Sequence, residues 1–116
     1  MDLAVVSRAA SSVTVYLGNG NNTFQAGVLY PTSSSPDSIA VGDVNGDGIL
    51  DLVTANSTGG NVSVLLGGAG GTFGGHTDFP TGAGSQSVVI GDFNNNGKLD
   101  FATANATAST VSVLEQ

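Results

Sequence analysis

Asp43-Val44-Asn45-Gly46-Asp47-Gly48-Ile49-Leu50-Asp51 decides the reading of this chain, because it recurs 49 residues later as Asp92-Phe93-Asn94-Asn95-Asn96-Gly97-Lys98-Leu99-Asp100. Oxygen-bearing side chains stand at loop positions one, three, five and nine, with glycine at six. A hard cation such as Ca²⁺ takes about six to eight oxygen ligands, and a short acidic loop around a sharp glycine turn supplies most of them. Position seven, Ile49 or Lys98, offers only its backbone carbonyl. An EF-hand loop begins the same way but closes with a glutamate at position twelve. Here position twelve is Thr54 or Thr103, and the closing carboxylate is Asp51 or Asp100. The flanks are apolar β-type runs, not helices. The two stretches therefore read as Ca²⁺ loops in a β context. The first would use Asp43, Asn45, Asp47, the Ile49 carbonyl and Asp51; the second Asp92, Asn94, Asn96, the Lys98 carbonyl and Asp100. The alternative is an Asx-rich hairpin turn without metal, since Asn, Asp and Gly favour turns on their own account.

Composition points the same way. The chain has 116 residues, one domain's worth or less, with 18 glycines and only 9% charged residues. Many Ser, Thr and Asn beside 40% hydrophobic residues suit short strands joined by tight turns. There is no cysteine, hence no disulfide framework. Net charge is −7, with Arg8 and Lys98 the only fixed cations, so no basic footprint for nucleic acid exists. Five of the nine acids (Asp43, Asp47, Asp51, Asp92, Asp100) lie in the two loops, which ties the acidity to a cation more than to general solvation. No apolar run approaches the 18 or so residues of a membrane span, and no signal peptide opens the chain. Met1 leads straight into strand-like sequence, as expected of a mature or excised piece.

The 49-residue period extends beyond the loops. Asp2, Asp51 and Asp100 align, each opening a strand: Leu3-Ala4-Val5-Val6, Leu52-Val53-Thr54-Ala55 and Phe101-Ala102-Thr103-Ala104. Val13-Thr14-Val15-Tyr16-Leu17 matches Val62-Ser63-Val64-Leu65-Leu66 and Val111-Ser112-Val113-Leu114. Thr23-Phe24 matches Thr72-Phe73, and Tyr30-Pro31 matches Phe79-Pro80. Each period thus holds four short strands, predicted in the complete unit at Ile39 to Val41, Leu52 to Ala55, Val62 to Leu66 and Phe73 to Phe79. Pro31 and Pro80 would sit on an outermost strand, where a missing N–H costs no ladder bond. Gly67-Gly68-Ala69-Gly70-Gly71 lacks the Lys of a phosphate loop and reads as a turn. Four strands in about 40 to 50 residues is the signature of a β-propeller blade. The expectation is an all-β fold of four-stranded antiparallel blades, about two and a half of them. Residues 2–37 would form the last three strands of one blade, 38–86 a complete blade, and 87–116 the first three strands of another.

Gly42-Asp43-Val44-Asn45-Gly46-Asp47-Gly48-Ile49-Leu50-Asp51-Leu52-Val53-Thr54-Ala55-Asn56, followed by Val62-Ser63-Val64-Leu65-Leu66-Gly67 and Gly71-Thr72-Phe73, resembles the FG-GAP/VCBS repeat. That repeat is the blade unit of integrin-α-like β-propellers, and the bacterial type fits better because the Phe-Gly and Gly-Ala-Pro signatures of animal integrins are not intact. The resemblance covers essentially residues 2 to 116. It implies Ca²⁺ in the nine-residue loops between the first and second strands of a blade. It also implies an extracellular or cell-surface setting. Asn96 in place of Asp47, and Lys98 beside the site, should weaken the second loop.

Ten strands are too few to close a propeller. The remaining blades are expected from flanking sequence or from self-association into a ring or filament. Nothing in the residues looks catalytic: His76 is the one histidine, in a glycine-rich connection where a solvated turn residue is expected. The expected function is a non-enzymatic, Ca²⁺-binding structural or adhesive module. An alternative is a lectin that binds glycans through Tyr16, Tyr30, Phe79 or Phe24, and a third is a fragment of a polysaccharide-active enzyme. Asn21, Asn56, Asn61 and Asn105 begin Asn-X-Ser/Thr triplets, which such a composition produces by chance; Asn56 and Asn105 are expected to serve turns.

Overall fold

The computed structural model describes residues 1–116 and is entirely β, with no helix that could cross a membrane. In chain order the strands are β1 (Leu3–Ser7), β2 (Ser12–Tyr16), β3 (Val28–Pro31), β4 (Pro36–Gly42), β5 (Asp51–Asn56), β6 (Asn61–Leu65), β7 (Gly67–Gly68), β8 (Thr72–Phe73), β9 (Thr77–Pro80), β10 (Ser85–Gly91), β11 (Asp100–Asn105) and β12 (Thr110–Leu114). They form an N-terminal sheet β1-β2-β3, a middle sheet β4-β5-β6-β9 and a C-terminal sheet β10-β11-β12, all antiparallel, plus the small ribbon β7-β8. The 49-residue period carries into register: Val53 pairs with Ala40 and Val64, and Ala102 with Val89 and Val113. Even the irregularities repeat, at Pro36/Ser38 and Ser85/Ser87.

Alternation along the strands explains the stacking. Successive side chains point to opposite faces of a sheet, and the middle sheet is apolar on both. Val53, Ala55, Val62 and Val64 pack with Val88 and Phe101 of the C-terminal sheet. On the other face, Leu52 and Leu65 pack with Val13 and Val15 of the N-terminal sheet, and Tyr30 meets Phe73 edge-on at 5.4 Å. All six residues of β5 are buried. The middle sheet is thus the centre of a three-layer stack, and the two cores lie on either side of it. Pro31 and Pro80 end the edge strands β3 and β9, as their missing N–H demands.

One predicted strand differs. The run Phe73 to Phe79 is not continuous: Thr72–Phe73 pairs with Gly67–Gly68, and only Thr77–Pro80 joins β6. Gly74 and Gly75 interrupt it, with the Gly74 N–H donating to the Leu66 carbonyl at 2.9 Å. The first period does the same with a single Gly18–Phe24 bridge.

Candidate metal centre

Both nine-residue loops leave the first strand of a sheet and enter the second, β4 to β5 and β10 to β11. Their backbones wind around the first carboxylate. In the first loop the N–H groups of Gly46 (2.7 Å) and Asp47 (3.1 Å) donate to Oδ1 of Asp43, and that of Gly48 (2.8 Å) to Oδ2. In the second, Asn96 (3.0 Å) and Gly97 (2.8 Å) donate to the two oxygens of Asp92. That winding requires left-handed backbone, supplied by Gly48 at φ 84° and Gly97 at φ 83°. Position four is left-handed as well, Gly46 at 78° and Asn95 at 61°, and Asn tolerates that region better than other side chains.

The third and fifth positions form a second layer. Asn45 Oδ1 accepts the Asp47 N–H at 3.0 Å, and Asp47 Oδ1 accepts the Ile49 N–H at 2.8 Å. Asn94 and Asn96 repeat this with the N–H groups of Asn96 and Lys98, at 3.1 and 2.9 Å. None of these bonds uses the Ile49 or Lys98 carbonyl. The side-chain bonds of position five differ between the loops: Asp47 Oδ2 accepts from the Asn45 amide, whereas the Asn96 amide donates to the Gln116 carbonyl.

Asp51 and Asp100 stand apart from the other ligand candidates because both are fully buried. Oδ2 of Asp51 accepts the Val44 N–H and Oδ1 the Gly67 N–H, both at 2.8 Å. Asp100 repeats this with Phe93 (2.9 Å) and Gln116 (2.8 Å). Asp2, the third member of the alignment, accepts the Gly18 N–H at 2.8 Å. The aligned carboxylate therefore bonds the N–H two residues past the end of the strand that pairs with its own: Gly67 after β6, Gln116 after β12 and Gly18 after β2. Gly67 suits that contact, since a Cβ there would lie 2.2 Å from the Leu50 carbonyl oxygen. The Gln116 amide, then those of Phe93 and Asn94, hold the Asp100 carboxyl below its ordinary 3.8 against the opposing effect of desolvation.

No three carboxylate or imidazole groups converge on one point. The oxygen set is mixed instead: carboxylates at one and nine, an amide oxygen at three, a carboxylate (Asp47) or amide (Asn96) at five and a free carbonyl at seven. Asp43 Oδ1 accepts two N–H groups, but its Oδ2 and the other loop carboxylate oxygens accept one hydrogen bond each and keep lone-pair capacity, so the donor chemistry fits a hard divalent cation. A cleft of about 490 Å³ separates the loops, with Asp43 and Asn45 on one wall and Lys98 on the other.

Other candidates lie elsewhere. Tyr30 is engaged by Phe73, and Phe79 stands 6.5 Å from Phe101, so the four aromatics do not share one platform. The larger cleft, about 660 Å³ between the N-terminal and middle sheets, includes Phe73 but none of the four. His76 is not a solvated turn residue: it is half-buried and meets Asp78 at 2.8 Å, which accepts a hydrogen bond from buried Ser63 at 2.6 Å. Ser63 and His76 thus each bond the Asp78 carboxylate and not one another. Asn56 and Asn105 are buried and donate to Ser63 and Ser112 at 2.8 Å, which explains their recurrence without glycosylation.

The sequence pattern described as an FG-GAP-like repeat matches this chain twice, over residues 1–54 and 43–103. No match was found among curated proteins or among solved structures.

Proposed function

The chain belongs to the FG-GAP-like repeat family, and from that premise we propose that it is a non-enzymatic, Ca²⁺-stabilised module of β-propeller type. It would serve a structural or adhesive role in a secreted or cell-surface protein, with further units of its own kind as partners. One observation carries the reading: two loops 49 residues apart wind the same backbone around the same carboxylate, Asp43 or Asp92. Simple turns do not require such a set of oxygens in both copies. Asp43, Asn45, Asp47, the Ile49 carbonyl and Asp51 would hold the first ion; Asp92, Asn94, Asn96, the Lys98 carbonyl and Asp100 the second. The ion supplies positive charge among carboxylates that otherwise repel one another.

The first loop has three carboxylates and the second two, so the first should bind more tightly; dissociation constants of about 10⁻⁴ to 10⁻³ M are ordinary for extracellular modules. Calorimetric titration with Ca²⁺ is expected to show two sites, with Asp47→Ala removing the tighter and Asp92→Ala the weaker. Ca²⁺ at roughly tenfold its dissociation constant adds about 1.4 kcal/mol of stability, so melts in Ca²⁺ and in chelator should differ by several degrees. Titrations unaltered by either substitution would leave the loops as turns.

A further inference from the structure

We propose that a second copy of this chain docks head-to-tail, the outer face of its N-terminal sheet against the outer face of the C-terminal sheet. This rests on the repeat-module reading but not on Ca²⁺. The support is an interface that the chain already builds twice. At the first, Val13, Val15, Ala4 and Val6 meet Leu52, Leu65 and Ile39. At the second, Val62, Val64, Val53 and Ala55 meet Phe101, Leu114 and Val88. The two sets correspond residue for residue, 49 positions apart. Each has a side of small residues, Val and Ala, and a side of bulky ones.

One period further along, the small side becomes Val111, Val113, Ala102 and Ala104. These lie on the free face of the C-terminal sheet, with Val111 71% and Val113 53% exposed, whereas their counterparts Val62 and Val64 are 0% and 6% exposed. One period back, the bulky side becomes Leu3 and Tyr16, paired across β1 and β2 on the free face of the N-terminal sheet. Leu3 is 43% exposed and Val5, two residues on, 50%, whereas Leu52, the counterpart of Leu3, is 3% exposed. Val111, Val113, Ala102 and Ala104 on one free face, and Leu3, Val5 and Tyr16 on the other, are all uncharged, the acidic residues of matching parity being buried Asp100, and Glu115 just past the end of β12. The free faces are thus the two unlike halves of a contact present twice within the molecule. Each matches the other better than itself. Val13 and Val15, also apolar, are already committed to the middle sheet. Unlike halves give a heterologous contact, which propagates from copy to copy until a ring closes or a filament grows.

The test uses the full chain and two surface substitutions, Val111→Asp on one face and Val5→Asp on the other. Both sites are exposed, and unchanged circular dichroism melts will verify that the fold survives. Sedimentation at tens of micromolar should show wild-type chain associating and each variant alone remaining monomeric. An equimolar mixture should give a one-to-one dimer that grows no further, because only one competent pair of faces remains. A monomeric wild type, association unaffected by both substitutions, homodimers of Val5→Asp, or aggregates without stoichiometry in the mixture would each overturn the proposal. Adding the loop variant Asp47→Ala separates the readings: it should lose an ion site yet still associate.

Discussion

Asp51 and Asp100 accept backbone N–H groups besides the cation-ligand role proposed for them, and those hydrogen bonds have consequences without any ion. Replacing Asp51 with Ala strands the N–H groups of Val44 and Gly67 in a buried site. An orphaned buried donor costs roughly 1–3 kcal/mol, so Asp51→Ala should lose on the order of 3 kcal/mol in chelator, measured by urea melts. Asp47→Ala, at an exposed site, should lose little there. Asp100 gives the pH counterpart. Its carboxyl is held below its ordinary value by the Gln116, Phe93 and Asn94 amides. A depressed folded value means that the unfolded state binds the proton more readily, so stability rises with pH. The contribution is complete above about pH 4 and disappears as pH falls through the folded value. The stability gap between wild type and Asp100→Asn, followed in chelator from pH 6 to pH 2, should therefore narrow at the acid end; a constant gap would remove the charge from the explanation. Lys98 acts in the opposite sense, placing a cation beside both loops. Lys98→Gln should tighten Ca²⁺ binding by a few-fold, the scale of one charge in high dielectric. The oxygen positions were legible because side-chain type and spacing determine them. The amide partners sixteen residues on were not, although Gly18, Gly67 and Gln116 stand at that offset from the three aligned aspartates.

Strand pairing was legible wherever alternation and period agreed. Val53, Val62 and Val64 announce buried strands, and the same positions recur in the flanking sheets. The fourth strand was misread because Phe73 and Phe79 look like the ends of one apolar run. Gly74 and Gly75 break that run: Phe73 reaches Tyr30 in the neighbouring layer, while Phe79 stays on the edge strand. His76 and Asp78 were equally hidden, since their pairing depends on that edge strand's placement. Element stability follows from the layering. β5 is hydrogen-bonded on both sides and buried on both faces, whereas β3 and β9 are edges. Protection from solvent exchange tracks burial and local contact, so β5 amides should exchange slowest and those of β3 and β9 fastest in hydrogen-exchange mass spectrometry. Comparable rates in β5 and β9 would mean that the middle sheet opens as one unit.

At the scale of the molecule, the two cores touch the same sheet from opposite sides but share no side chain. Such a stack behaves as a one-dimensional array in which each layer senses only its neighbours. Phe101 is the largest buried side chain and belongs to the core between the middle and C-terminal sheets. Truncating a buried Phe to Ala costs about 3–5 kcal/mol through lost transfer energy and the cavity left behind. That is a large share of the 5–15 kcal/mol typical of a whole domain. Phe101→Ala should therefore speed exchange across β10, β11 and β12 far more than across β1, β2 and β3. Leu65→Ala, in the other core, should reverse the pattern and loosen the N-terminal sheet first. The same difference should appear in thermal melts as broadening, because one layer detaches before the rest. If either substitution loosens both outer sheets equally, the middle sheet transmits the damage and the three layers unfold as a single cooperative body.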